Sequence, residues 1–360
     1  MRSTKVKETK NAKEEMEFAE SLLNKLNGGA ICLMISIGHR VGLFDCMGDM
    51  EAATAEEIAD KAGLNRRYVR EWLDAMTVGG ICIYDATTKK YDLPAEHAVH
   101  LTRKNATGNL AVLAQFIGML GSVEDGIVDC FKNGSGVGYE AYARFHEIMA
   151  EESGQTVVPV LVEKVLPLAP GLHERLESGI TAVDIGCGRG RALRRMASAY
   201  PKSKFVGFDL CDDAIAHAKE MTEAEGLTNI EFKKQDVAAL ELSEEFDLIT
   251  AFDSIHDQAK PDVVLKNIHR ALKKDGVFLM QDIDTSKDVE NNMTHPVAPM
   301  VYTISCMHCM TVSLAQGGAG LGAAWGTETA QRMLGEAGFD KLDLHKLEHD
   351  PLNCFFVARK

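Results

Sequence analysis

The sequence predicts an α/β protein whose C-terminal half is an open sheet of seven strands and whose N-terminal part is mostly helical. Three observations carry this. From residue 180 onward, short apolar runs alternate with helix-length segments, the pattern of a parallel sheet covered on both faces. The first of those runs, 180–185, turns through Gly186, Gly188 and Gly190 into a segment with Leu193, Met196 and Ala197 at helical spacing. Strand, glycine turn and helix together are the setting in which a glycine signature marks a nucleotide-type site. Finally, residues 54–93 read as two short capped helices followed by a hairpin.

At 360 residues the chain is long enough for two domains. Its 46% hydrophobic and 26% charged content is ordinary for a globular protein. The net charge of −14 argues against general attraction to nucleic acid or an anionic membrane. No apolar run approaches a membrane span of ~18 residues, and the polar N-terminus lacks the apolar core of a secretory signal. The nine cysteines are an odd number without a framework, which points to a reducing, cytoplasmic setting. Only Cys306 and Cys309 form C-x-x-C, and no second pair follows, so no metal is expected.

In chain order, residues 1–12 are polar and expected to fray. Met16, Ala19, Leu22, Leu23 and Leu26 give 14–26 one apolar helical face, and the run Asn27, Gly28, Gly29 is expected to end that helix. Residues 30–44 are apolar almost all round, as in a fully buried helix, and the pair suits a subunit interface. Thr54 and Glu57 spell a capping box, Gly63 punctuates, and Asn65 opens a second helix. Runs at 80–84 and 90–93 complete a winged helix. Arg66, Arg67 and Arg70 suggest DNA, yet residues 50–105 hold eight basic against nine acidic side chains, without the basic excess of a DNA reader. Segment 106–178 reads as a helical connector, with helices at 109–120 and 139–152. Tyr139, Tyr142, Phe145, His146 and Met149 are either core or one wall of an acceptor pocket.

Strands are expected at 180–184, 204–209, 230–234, 246–252, 276–282, 340–345 and 353–358, and helices at 190–199, 212–225, 260–272 and 327–337. Between 284 and 326 the alternation breaks. This insert holds His308, Met310 and Trp325 with a run of glycines, and reads either as a lid over a pocket or as space-filling.

Acidic residues close the apolar runs: Asp184 within the first, then Asp209, Asp236 and Asp253. Carboxylates at strand ends line the ligand crevice of such a sheet. They would repel a pyrophosphate but suit a sulfonium, an ammonium and a ribose diol, the groups of S-adenosylmethionine. V-D-I-G-C-G-R-G, F-V-G-F-D-L and Q-D-V resemble the first, second and adenine-side motifs of class I S-adenosylmethionine-dependent methyltransferases. The resemblance implies a Rossmann-like sheet with an antiparallel last strand. It divides the chain into an N-terminal dimerisation domain (1–105), a connector (106–178) and the methyltransferase domain (179–360) with the insert as lid.

Cofactor contacts then fall on Asp184, Gly186, Cys187, Gly188, Gly190, Asp209, Leu210, Asp236, Val237, Phe252 and Asp253. Asp184 attracts the methionyl ammonium, Asp209 takes the ribose hydroxyls and Asp236 the adenine amine. A-F-D-S-I-H-D-Q is similar to the His-Asp-Trp segment of plant-type small-molecule O-methyltransferases, with Gln258 in place of tryptophan. By that resemblance His256 is a general base, or a residue that only positions the acceptor; Asp257 adjoins it, and Gln281 or Asp282 orients it. Those enzymes are homodimers, built by their winged helix, that methylate a hydroxyl or thiol of a small molecule. Poorly characterised winged-helix methyltransferases share the H-C-M…S-L-A-x-G-G-x-G-L-G…W-G pattern across 308–326, which brings no substrate with it. Two alternatives stand beside this: a winged-helix regulator that senses S-adenosylmethionine, and a protein or RNA methyltransferase. Against a nucleobase amine as acceptor, residues 253–256 lack the Pro-Pro pair of that class.

Overall fold

The computed structural model describes residues 12–105, 108–348 and 350–360. The expected fraying of 1–12 lies outside these residues, apart from Ala12, which opens the first helix. Two compact units divide the chain, 1–118 and 119–360.

In the first unit, α1 (Ala12–Arg40) runs straight through Gly28 and Gly29, so the expected stop there is wrong. Two interior glycines cost roughly 1 kcal/mol each, but the helix is anchored beyond them: Trp72 Nε1 donates to Met34 O at 2.8 Å, and a Cβ on Gly38 would lie 2.3 Å from that indole. Nor is 30–44 buried all round, since Leu33, Ile37 and Val41 are exposed and the chain turns at Gly42 into α2 (Leu43–Gly48). The apolar face of the first turns, Met16, Leu22, Leu23 and Leu26, is exposed as well.

Helix α3 (Ala55–Ala62) starts on the Thr54–Glu57 capping box and stops at left-handed Gly63. Asn65 caps α4 (Arg66–Val78), and β1 (Ile83–Asp85) pairs antiparallel with β2 (Lys90–Asp92) as the wing. Its arginines are matched by acids: Arg66 to Asp60, Arg67 to Glu71 and Arg70 to Asp74. Helix α5 (Ala95–Ala98) follows, and α6 (Ala114–Gly121) carries the chain into the second unit.

There, α7 (Glu124–Asn133), α8 (Phe145–Ser153) and α9 (Leu172–Ser178) precede the sheet. The single helix expected over 139–152 is broken: a short turn ends at Tyr142, whose φ of −101° and ψ of 77° leave the helix before α8 begins. Burial of Tyr142 explains the break, because its hydroxyl donates to Met307 O.

The strands are β3 (Thr181–Ile185), β4 (Lys204–Asp209), β5 (Ile230–Lys234), β6 (Phe246–Phe252), β7 (Leu272–Ile283), β8 (Lys341–Leu347) and β9 (Asp350–Arg359). They lie in the order β5-β4-β3-β6-β7-β9-β8, with β9 antiparallel to both neighbours. Between them run α10 (Arg191–Ala199), α11 (Asp212–Ala224) and α12 (Pro261–Ala271), then α13 (Val289–Asn292), α14 (Ala298–Ile304) and α15 (Met310–Ala315) in the insert, and α16 (Thr327–Ala337). Alternate residues of β3 feed two cores. Val183 and Ile185 pack with α12 and α16, and Ala182 packs with α10. Helical residues 298–315 are long and apolar enough to cross a membrane, but Val301, Cys309 and Val312 are buried within the unit, as in the core helix of a folded domain.

Candidate active site

The order β5-β4-β3-β6-β7 places the switch point of the sheet between β3 and β6, and the strand ends there open on one cleft of about 1100 Å³, open to solvent. Gly186, Gly188 and Gly190 have φ of 66°, 51° and 68°, the left-handed region glycine enters freely. A Cβ on Gly186 would lie 2.5 Å from Ser254 and one on Gly190 2.4 Å from Phe232, so these two keep the turn close to its neighbours. A Cβ on Gly188 would meet nothing within 4 Å; this glycine lines the cleft. Asp209, at the end of β4, accepts from Gly188 N and Cys211 N, both at 2.8 Å, which fixes the turn against its own carboxylate.

Of the cofactor residues read from the sequence, Asp184, Gly186, Cys187, Gly188, Asp209, Leu210, Val237, Phe252 and Asp253 wall the cleft. Gly190 and Asp236 do not: Gly190 backs onto Phe232, and Asp236 is exposed with its carboxylate capping Ala238 N at 2.8 Å, leaving Gln235 and Val237 at the cleft. Among the acceptor residues, Tyr139, Phe145, His146 and Met149 line it. Tyr142, His308, Met310 and Trp325 do not line it; His308 backs the lining residue Phe145. Tyr139 donates to Asp257 Oδ2 at 2.5 Å. Residues the sequence reading missed as cleft residues include Arg191, which lines the cleft and donates to Ala150 O at 2.6 Å, together with Ser254 and Gln258; Gln281, read as a partner of the histidine, lines it too. The donor atoms of His146, Asp209 and Cys211 also lie within 4.8 Å of one another, ligand types suited to a metal ion, at the strand end assigned to the ribose.

His256 is 3% exposed and sits just behind the wall, while Asp257 reaches the cleft. Its Nδ1 lies 2.8 Å from Asp282 Oδ1, and Trp325 Nε1 donates to the same oxygen at 3.0 Å. Of the two candidates for orienting the histidine, the partner is therefore Asp282. Burial alone would lower the His256 pKa, but Asp282 and the hydrogen-bonded Cys309 outweigh it and hold the imidazole well above its ordinary value. His308 shows the opposite behaviour. It is stacked on Phe145 at 3.9 Å with both nitrogens unpartnered among the described residues, and burial, with His256 and His146, pushes its pKa down to about 3.

The acids of the cleft are also shifted. Burial pushes Asp184 up to about 7 despite the hydrogen bond from Thr250 at 2.7 Å, and Asp257 up to about 6. Asp253, at the end of β6, has a φ of 51° unusual for a side-chain-bearing residue. Burial first, then Asp282 and Glu152, hold its carboxyl well above the usual range. Gln281 Nε2 donates to Asp253 Oδ2 at 2.7 Å, which places Gln281 beside Asp253 rather than the histidine.

A sheet of this order with a glycine turn at its switch point and an acid after the second strand defines the class I methyltransferase fold. Comparison with known proteins agrees. Residues 29–103 match the Rv2258c-like winged HTH domain family and residues 176–338 a methyltransferase domain family, so the chain carries a winged-helix domain followed by a methyltransferase domain of the S-adenosylmethionine-dependent class. It is 26% identical over 147 residues to the malonyl-[acyl-carrier protein] O-methyltransferase of Bacillus cereus, a match covering 41% of this chain and 49% of that protein. The chain thus spans about half the length of that curated relative, or less for others such as the Bacillus anthracis protein, at 37%. Among solved structures, human N-acetylserotonin methyltransferase in complex with SAM superimposes with a TM-score of 0.69 at 18% identity, covering 95% of this chain and 97% of that one. Mitomycin 7-O-methyltransferase does so with 0.70 at 16% identity, covering 97% and 100%. At these identities the structural likeness is one of fold.

Proposed function

We propose that the protein transfers the methyl group of S-adenosylmethionine to a hydroxyl or thiol of a small-molecule acceptor. The carrying observation is the convergence of the glycine turn, Asp184 and Asp209 on one cleft, with the His256–Asp282 pair buried behind its wall next to Asp257 and Gln281. The structural neighbours named above, titled as O-methyltransferases or solved with SAM, support the same reading. The backbone at Gly186 and Gly188 receives the methionyl end, Asp184 its ammonium, Asp209 the ribose hydroxyls, and Val237 packs by the adenine ring. Asp236 caps its turn and serves the adenine through the position of that turn.

Methyl transfer is an in-line displacement at a carbon already activated by the sulfonium, so the protein's tasks are alignment and removal of the acceptor proton. His256 takes that proton, with Asp282 holding the ring and stabilising the imidazolium that forms. Because His256 lies behind the wall, the insert 284–326 acts as the lid whose movement brings acceptor and imidazole together; it carries Cys309 against the ring.

The exposed apolar face of α1 serves a homodimer, which sedimentation of the full-length chain reads directly. A monomer at micromolar concentration would remove the dimer. Nine free cysteines suit a cytoplasmic protein. Calorimetric titration with S-adenosylhomocysteine tests the cofactor reading. The wild type should bind, and Asp209→Ala should weaken binding by ~1.5–3 kcal/mol, the scale of hydrogen bonds to a charged group. Unchanged affinity would take the ribose away from Asp209.

A further inference from the structure

We propose that Asp253 and Gln281 form a recognition site for an amine carried by the acceptor, next to the atom that is methylated; this rests on the methyltransferase reading above.

The two side chains sit at the ends of adjacent strands, β6 and β7, and both line the cleft. They are tied together twice: Asp253 N donates to Gln281 O at 3.1 Å and Gln281 Nε2 to Asp253 Oδ2 at 2.7 Å. These ties hold Asp253 at its φ of 51°, a backbone state that costs a residue with a Cβ roughly 1 kcal/mol or more. What this geometry presents is two oxygens. Asp253 Oδ1 and Gln281 Oε1 are buried and have no hydrogen-bond partner among the described residues, and Gln281 is only 1% exposed. Gln281 Oε1 is an acceptor, and so is Asp253 Oδ1 when the carboxyl is ionised, so N–H donors satisfy both.

The charge of the group follows from the surroundings. No lysine or arginine pairs with Asp253 among the described residues; burial, Asp282 and Glu152 favour its protonated form, against a positive contribution from His256. An entering ammonium stabilises the ionised form of this buried carboxyl, which favours an amine over a neutral amide. The place of the pair assigns it to the acceptor. The glycine turn, Asp184 and Asp209 occupy the ends of β3 and β4, where Asp184 already offers a carboxylate to the cofactor's own amine. Asp253 and Gln281 lie on the other side of the switch point, at the end of β6 and on β7, the segments that also bring His256, in the loop after β6, to Asp282.

The test uses the full-length protein loaded with S-adenosylhomocysteine and two probes of one scaffold, tyramine and its alcohol counterpart tyrosol, with binding read by ligand-observed NMR. Tyramine should bind about ten-fold more tightly or better, the scale of a charge-assisted contact. Asp253→Asn, which tolerates the left-handed backbone, should bring the two probes within about three-fold. Gln281→Leu should reduce the preference in the same direction without removing the carboxylate. Equal binding of the probes to wild type, or no binding of tyramine at millimolar concentration, would overturn the assignment. So would a large loss of S-adenosylhomocysteine affinity in Asp253→Asn, which would hand the carboxylate to the cofactor's ammonium. A wild type that binds no S-adenosylhomocysteine is a different outcome: it removes the methyltransferase reading and this one with it.

Discussion

The two sides of the switch point treat their polar groups differently. On the β3–β4 side the carboxylates of the cleft are satisfied within the protein: Asp209 takes two backbone N–H groups and Asp184 takes the Thr250 hydroxyl. On the β6–β7 side Asp253 Oδ1, Gln281 Oε1, Asp282 Oδ2 and, across from them, both nitrogens of His308 are buried without partners among the described residues. Each such group costs roughly 1–3 kcal/mol of desolvation. The difference separates a site pre-organised for one fixed ligand from one whose polar atoms are completed by a second ligand. It also explains why the first site is written in a local motif and the second is assembled from distant segments.

The largest expected effect strikes the second side alone. His256→Ala should lower turnover by ~10²-fold or more while leaving S-adenosylhomocysteine affinity intact; undiminished turnover would reduce His256 to a positioning residue. The sign of the pH dependence follows from the raised His256 pKa. Only the deprotonated ring accepts a proton, so turnover should rise with pH, with its inflection above the ordinary histidine value. Asp282→Asn removes the carboxylate that holds the pKa up and should move the inflection down, whereas an unmoved inflection would show that another group titrates.

A smaller pair of effects divides the first side internally. Gly190→Ala puts a Cβ 2.4 Å from Phe232 at a φ of 68° and should lower Tm by several degrees, from a penalty of roughly 1–2 kcal/mol or more. Gly188→Ala places its Cβ in the open cleft. It shares the backbone strain but not the clash, so its Tm should fall less while its S-adenosylhomocysteine affinity falls more. Equal losses of Tm would mean that strain alone sets the cost.

The strands of the sheet were legible because each is a short apolar run bounded by turn residues, and the wing domain because Thr54, Gly63 and Asn65 are local caps. Misreadings arose where distant packing overrides local preference. Gly28 and Gly29 look like a helix stop, but the helix is fixed by Trp72 over forty residues away. Tyr142 fits a helical stripe, but its hydroxyl is claimed by Met307. In the site, Asp209 and the glycines follow from their motif. Arg191 and the pairing of Gln281 with Asp253 carry no signal at fixed spacing and emerge only when β6, β7 and α8 are brought together.

The most direct measurement is the fate of the methyl group. The full-length protein, incubated with methyl-labelled S-adenosylmethionine and a soluble cell extract, should move label into the low-molecular-weight fraction, where mass spectrometry identifies the acceptor. Label appearing only on protein or RNA, or bound cofactor with no label transferred, would contradict a small-molecule methyltransferase.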